Sequence, residues 1–264
     1  MNNAIYLKIA GFYIKLQFCK TIPSLDFVKE KFKKNIITYY RGFISDDKPK
    51  EIDYLIKLIG ARELPALKKN NHTFISLYEE TGKNKIITYY QISQMQMCLV
   101  VRHVLGRLLL TKGFFLHASA SNIEGKANIF LGKTGSGKST VMTFLKERFP
   151  PLADDTIILK KESNEFYLYQ TSFPEKNNCF LKNSNRYPIE GIFFLHKTNH
   201  FKKERIKDKD YILRRIISQF LAEKKCVNKQ IPILMNFVSI MNNFYGLYFA
   251  KDKTHLIKSI IDKN

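Results

Sequence analysis

The stretch from Phe130 to Thr140, FLGKTGSGKST, constrains the fold of this chain more than any other. Gly132, Gly137, Lys138 and Ser139 satisfy the spacing G-x-x-x-x-G-K-[ST], and Gly135 adds a further flexible position inside the loop. Glycines at these places let backbone N–H groups turn inward around anionic oxygens, and a helix that starts there adds the positive end of its dipole. An apolar run, Ala127 to Leu131, leads in, and an amphipathic stretch, Ser139 to Phe149, leads out and stops at Pro150 and Pro151. The pattern predicts strand, glycine turn and helix in that order. In such a turn Lys133, Thr134, Ser136 and Thr140 complete the cradle, Lys138 reaches the outer phosphates of a nucleotide, and Ser139 is a ligand for Mg2+.

Loops of this kind in ATPases and GTPases are accompanied by a buried strand ending in a metal-steering Asp. The best buried strand here, GIFFLH, ends in His196 instead. The acids occur in LADD, where Asp154 lies fifteen residues past Ser139, just beyond the two prolines. Two adjacent carboxylates returned to the mouth of a phosphate loop can divide labour, one on the metal and one accepting a proton. The alternative is that Asp154 and Asp155 cap a turn.

Around this centre the chain reads as mixed α/β. Ala4 to Phe18 reads as two strands broken by Gly11, with a meander to follow, and the word IITYY, at Ile36 to Tyr40 and again at Ile86 to Tyr90, reads as similar edge strands or coincidence. Ile92 to Thr111 carries apolar residues at helical spacing and is expected to open the second half, so the division is drawn between a β-rich region, 1–92, and a core, 93–264. GFFLHASAS and KANIFL predict strands, TIILKK and EFYLYQ a hairpin, and IEGIFFLH a buried strand. Helices are expected near 208–225 and 232–243, then a strand YGLYFA and a helix from Lys253.

The net charge of +21 and the isoelectric point near 9.7 raise nucleic acid as a partner, but the lysines are spread along the chain with no accompanying recognition pattern, which speaks against it. Arg102, His103, Arg107 and Lys112 interrupt the one long apolar stretch, so no membrane span is expected. The opening residues lack the pattern of a secretory leader, and the scattered Cys19, Cys98, Cys179 and Cys226 suggest neither disulfides nor a zinc site; a cytoplasmic protein is expected. His196 and His200, four apart in HKTNH, read as surface histidines.

The order FFLHAS, IFLGKTGSGKST, LADD, over about residues 113 to 158, resembles the P-loop kinases that include HPr kinase/phosphorylase and, more distantly, the ATP-dependent phosphoenolpyruvate carboxykinases. In size and layout the chain is most similar to the small HPr-kinase-like proteins of peptide-modification gene clusters. The resemblance implies a mixed-sheet P-loop kinase core with a β-rich N-terminal region, ATP and Mg2+ as cofactors, and a peptide or protein acceptor bearing Ser or Thr. It makes Asp154 the general base, Asp155 the metal partner of Ser139, and His117 a residue near the γ-phosphate and acceptor. It also allows a homo-oligomer, for which the sequence shows no seam. HPr kinases proper carry an acid where this chain has Thr140, and their downstream glycine-rich signature is absent, so phosphatase activity and HPr itself are not expected. Lys182 and Arg186 could reach phosphate or an acidic substrate, or lie in a surface loop. Beside a peptide kinase stand a small-molecule hydroxyl kinase, a nucleotide-operated binding module and a nucleic-acid-stimulated ATPase.

Overall fold

The computed structural model describes residues 3–19, 23–60, 67–69, 72–74, 76–175, 181–223, 225–250 and 252–261. The chain divides into two compact units, Met1–Leu108 and Leu109–Asn264.

In the first unit, β1 (Ala4–Ile9) and β2 (Phe12–Phe18) form a hairpin whose turn residues, Ala10 and Gly11, have φ of 51° and 75°. Left-handed turns of this kind match the twist of the strands they join. The expected meander is absent: the chain continues into α1 (Asp26–Tyr39) before returning as β3 (Tyr54–Ile59). Because β2 and β3 pair in parallel, the connection has to cross over from one end of the sheet to the other, and α1 supplies that crossover. A small pair, β4 (Leu67–Lys69) with β5 (His72–Phe74), precedes the hairpin of β6 (Glu79–Gly82) and β7 (Lys85–Tyr89). The five-stranded sheet runs β1-β2-β3-β7-β6.

The two copies of IITYY take different structures. The first closes α1, where Phe32, Ile36 and Tyr40 are buried four residues apart; the second is β7 and its end, where Ile86, Thr88 and Tyr90 are buried two apart. The pentapeptide fits either period, and its surroundings decide. Helix α2 (Gln94–Leu108) completes this unit: His103 Nε2 lies 2.8 Å from Glu80 Oε1, and the Cys98 thiol donates to the Tyr39 hydroxyl at 3.1 Å. The first compact unit accordingly runs through Leu108, the last residue of α2.

The second unit is built on a ten-stranded mixed sheet: β8 (Gly113–His117), β9 (Ser119–Ile123), β10 (Lys126–Leu131), β11 (Pro151–Ala153), β12 (Thr156–Glu162), β13 (Glu165–Gln170), β14 (Arg186–Lys197), β15 (Lys202–Arg205), β16 (Phe220–Leu221) and β17 (Phe244–Phe249). Its main path runs β11-β9-β10-β14-β13-β12-β8-β16, and β17 joins β14 to β15. Strand β14 is the spine: its start pairs with β13, and its later residues lie parallel to β10 on one side and β17 on the other. Helices α4 (Lys209–Ile217) and α5 (Val227–Ile240) cover one face through Ile212, Ile216, Leu234 and Phe237; α5 starts five residues before the Pro232 expected to open it. Helices α3 (Lys138–Leu145) and α6 (Lys253–Ile261) cover the other face, through Val141, Leu145, Leu256 and Ile260. The result is a three-layer α/β fold. Among the described residues, no helix is long and apolar enough to cross a membrane.

Arg186 is tied into the sheet rather than held out towards a substrate. Its guanidinium donates to Glu162 Oε2 at 2.6 Å and lies over the Tyr167 ring, while Tyr169 and Lys160 donate to Glu162 Oε1. Burial opposes ionisation of Glu162, but these donors outweigh it and hold its pKa down at about 2. A depressed carboxylate pKa stabilises the fold above the unfolded value, and that contribution is lost as pH falls through the folded one. We therefore expect Glu162→Gln to cost roughly 1–3 kcal/mol at neutral pH. The gap in melting temperature between variant and wild type should close as pH falls from 4.5 to about 2.

Candidate functional site

The glycine turn has the expected form. β10 ends at Leu131, the loop follows, and α3 begins at Lys138 with Gly137 as its N-terminal cap at φ 99°. Gly135 is also left-handed, at φ 83°. The loop folds closely on itself, since a Cβ on Gly132 would stand 2.3 Å from Ser136 Oγ. Lys138 Nζ donates to the Gly132 carbonyl at 2.6 Å, which curls the side chain back over the loop. Ser136 Oγ is buried and takes no hydrogen bond among the described residues. Helix α3 stops at Leu145, short of the prolines, because the Arg148 and Phe149 amides both turn back to the Leu145 carbonyl.

Pro151, after Pro150, then starts an edge strand, a place that tolerates proline. The Asn122 amide and the Ser121 hydroxyl donate to the Pro150 carbonyl, and β11 runs antiparallel to β9. This pairing returns Asp154 to the loop. The apolar run GFFLHASAS is divided at Ala118, so that β8 pairs with β12 while β9 pairs with β10. His117 therefore ends β8 directly opposite Thr156.

A cavity of about 210 Å3 is lined by Lys133, Thr134, Gly135, Gly137, Lys138, Ser139 and Thr140 of the loop together with His117, Asp154 and Lys197. A glycine turn, a helix N-terminus and lysines form a donor set suited to anionic oxygens, with a carboxylate and an imidazole alongside. Asp154 is 4% exposed and accepts from Ser119 Oγ at 3.0 Å. Asp155 is not among the lining residues: its carboxylate stands 3.3 Å from His117 Nδ1 and accepts from Thr156 Oγ1 at 3.0 Å. Among the described residues, no group of three or more His, Cys, Asp or Glu side chains is placed to hold a metal ion. Magnesium typically binds through one or two protein oxygens plus phosphates and water, and Ser139, which lines the cavity with Asp154, suits that mode.

Sequence reading missed Glu175 and misplaced Lys182. Glu175 Oε2 accepts the Asp154 amide at 3.0 Å, and Glu175 Oε1 lies 3.3 Å from Lys182 Nζ, which also donates to the Thr171 and Phe173 carbonyls. Burial pushes the Glu175 pKa up, against the pull of Lys182. Lys182 thus braces the Asp154 backbone from behind, a role that no local spacing announces. His196, expected at the surface, is partly buried and stacked on Tyr248, and burial lowers its pKa. Cys179 lies outside the described residues, and no disulfide joins Cys19, Cys98 or Cys226 among them.

Residues 85–210 match the family model described as SynChlorMet cassette protein ScmC. The chain is also 33% identical over 126 residues to Multidrug resistance protein 1 from two isolates of Plasmodium falciparum, a match that covers 46% of this chain but about 8% of the length of those curated relatives. Among solved structures, the HPr(Ser) kinase/phosphatase from Coxiella burnetii is 12% identical, with 55% of this chain and 91% of that chain covered and a TM-score of 0.29, a weak overall likeness.

Gly137 combines a close approach with a left-handed backbone. A Cβ there would stand 2.6 Å from Phe249 Cζ, and its φ is one that L side chains rarely adopt. Gly137→Ala should destabilise the second unit by roughly 1–3 kcal/mol. The check is thermal unfolding; a variant as stable as wild type would show that the loop glycine is not under this constraint.

Proposed function

We propose that this HPr-kinase-like chain, of the ScmC kind over residues 85–210, is an ATP- and Mg2+-dependent kinase that phosphorylates a Ser or Thr hydroxyl on a peptide or protein. The observation that carries the reading is the convergence of His117, Lys138, Ser139 and Asp154 on one cavity, although they come from different elements of the sheet and its loops. The loop amides cradle the phosphates, and Lys138 leaves the Gly132 carbonyl to neutralise charge on the outer ones. Asp154, oriented by Ser119 and by the Glu175 bond to its own amide, takes the proton of the acceptor hydroxyl. That oxygen then bonds to the γ-phosphorus as the bond to the ADP oxygen breaks, in line. His117, held through Nδ1 by Asp155, sits where it can bond the acceptor or the transferred phosphoryl group. Ser139, with Asp155 as its partner, would hold Mg2+, which would supply neutralisation of the phosphate charge. We place the protein in the cytoplasm.

Intact-mass spectrometry of Ser- and Thr-bearing peptides, and of free serine, after incubation with ATP and Mg2+ tests the reading. Wild type should add one phosphate, about 80 Da, to a peptide. Asp154→Asn should reduce the rate by at least about a hundredfold, the scale of a lost general base. Phosphorylation of free serine alone would make the acceptor a small molecule. Nucleotide binding with no phosphorylated product from any acceptor would leave a nucleotide-operated binding module in place of a kinase.

A further inference from the structure

The strand beside the glycine loop carries a cation where an acid is usual. In nucleotide-hydrolysing P-loop proteins, a Walker-B Asp joins the loop Ser or Thr on the metal that bridges the outer phosphates. Here the parallel neighbour of β10 is β14, in register from Ala127/Ile189 to Leu131/Phe194, and it runs on to His196 and Lys197. His196 is turned away into its stack with Tyr248. Lys197 lines the cavity with the loop, His117 and Asp154.

The placement of Lys197 is built rather than incidental. Its register partner on β17 is Phe249, and the Phe249 ring and the Lys197 stem both press on Gly137, with Lys197 Cε 3.2 Å from where a Cβ would stand. The stem therefore lies across the residue that caps α3, at the positive end of the helix. Among the described residues, the Lys197 side chain makes no ion pair or hydrogen bond. Lys133, Lys138 and Lys197 thus share one small cavity in which Asp154 is the only lining carboxylate among the described residues. Like charges gathered around a helix N-terminus repel one another, and an anion with several charges relieves that repulsion.

Resting on the nucleotide reading above, we propose that Lys197 is a specificity residue for the triphosphate. It contacts the terminal phosphate directly, from the strand end where other P-loop proteins act through a metal-bound Asp, and so makes the site prefer ATP over ADP. Lys138 approaches from the loop and Lys197 from the sheet, so the γ-phosphate is held from two walls while its acceptor enters past His117 and Asp154.

The test measures ATP, ADP and inorganic tripolyphosphate affinities by calorimetry on the full chain, with and without Mg2+, for wild type, Lys197→Met and Lys197→Arg. Methionine keeps the stem over Gly137 and removes only the charge; melting curves of the three proteins confirm the fold. Lys197→Met should weaken ATP and tripolyphosphate by about tenfold while ADP changes less than about twofold, and Lys197→Arg should restore most of the difference. The ATP deficit of the Met variant should be larger without Mg2+, since the charge it lost is then uncompensated. An equal loss for ATP and ADP, or no loss, overturns the proposal while leaving nucleotide binding intact. A wild-type protein that binds none of the three ligands removes the nucleotide reading and this proposal with it.

Discussion

The ladder between β9 and β11 holds the candidate site together. Pro151 and Ala153 of β11 pair with Ser121 and Ala120 of β9, and the Asn122 amide and Ser121 hydroxyl secure the Pro150 carbonyl just ahead of them. β9 is also the hairpin partner of β10, the strand that delivers the glycine loop. The loop and the acidic pair are thus fixed to opposite edges of one strand, at a separation set by backbone geometry rather than by long side chains. A carboxylate brought in this way arrives with its own backbone fixed, and the Glu175 bond to the Asp154 amide fixes it further. Such a position suits a group that must meet a moving proton within hydrogen-bond distance.

Much of the second unit could be read from the chain because its signals are local. The glycine loop, the strand before it, the hairpin of β12 and β13, the buried β14 and the strand and helix at the end all follow from spacings within about a dozen residues. The identity of the acid beside the loop was also legible, since LADD follows directly on the prolines that end the preceding turn. The first unit was harder. Its parallel β2–β3 pair demanded a crossover helix that the residues after Phe18 do not announce with a clean apolar stripe: α1 buries only Phe32 and Ile36 within its bounds. IITYY could not be assigned without its neighbours, because its five residues satisfy a spacing of two as well as they end a spacing of four.

The parts of the site that escaped sequence reading are those set by distant pairing. Lys197 looks like the polar end of a strand until β14 is laid beside β10 and β17. Glu175 and Lys182 lie in a connection with no periodicity, and their value comes from meeting behind Asp154. Arg186 was legible as a phosphate ligand by residue type alone, and the Glu162 cluster takes it elsewhere. The basic composition fits this picture of mixed uses: Arg186 serves the sheet, Lys182 serves Asp154, and Lys197 faces the cavity.

The large sheet also ends unusually. β11 has three residues, one of them proline, β16 has two, and β15 has four. An open edge of the usual length is a template on which a second chain can add its own strand, and short, proline-bearing margins deny it that template. A ten-stranded sheet finished in this way resists growing sideways into fibres. Association of the second unit with another chain is thereby left to its helical faces and loops, where side-chain chemistry can choose the partner.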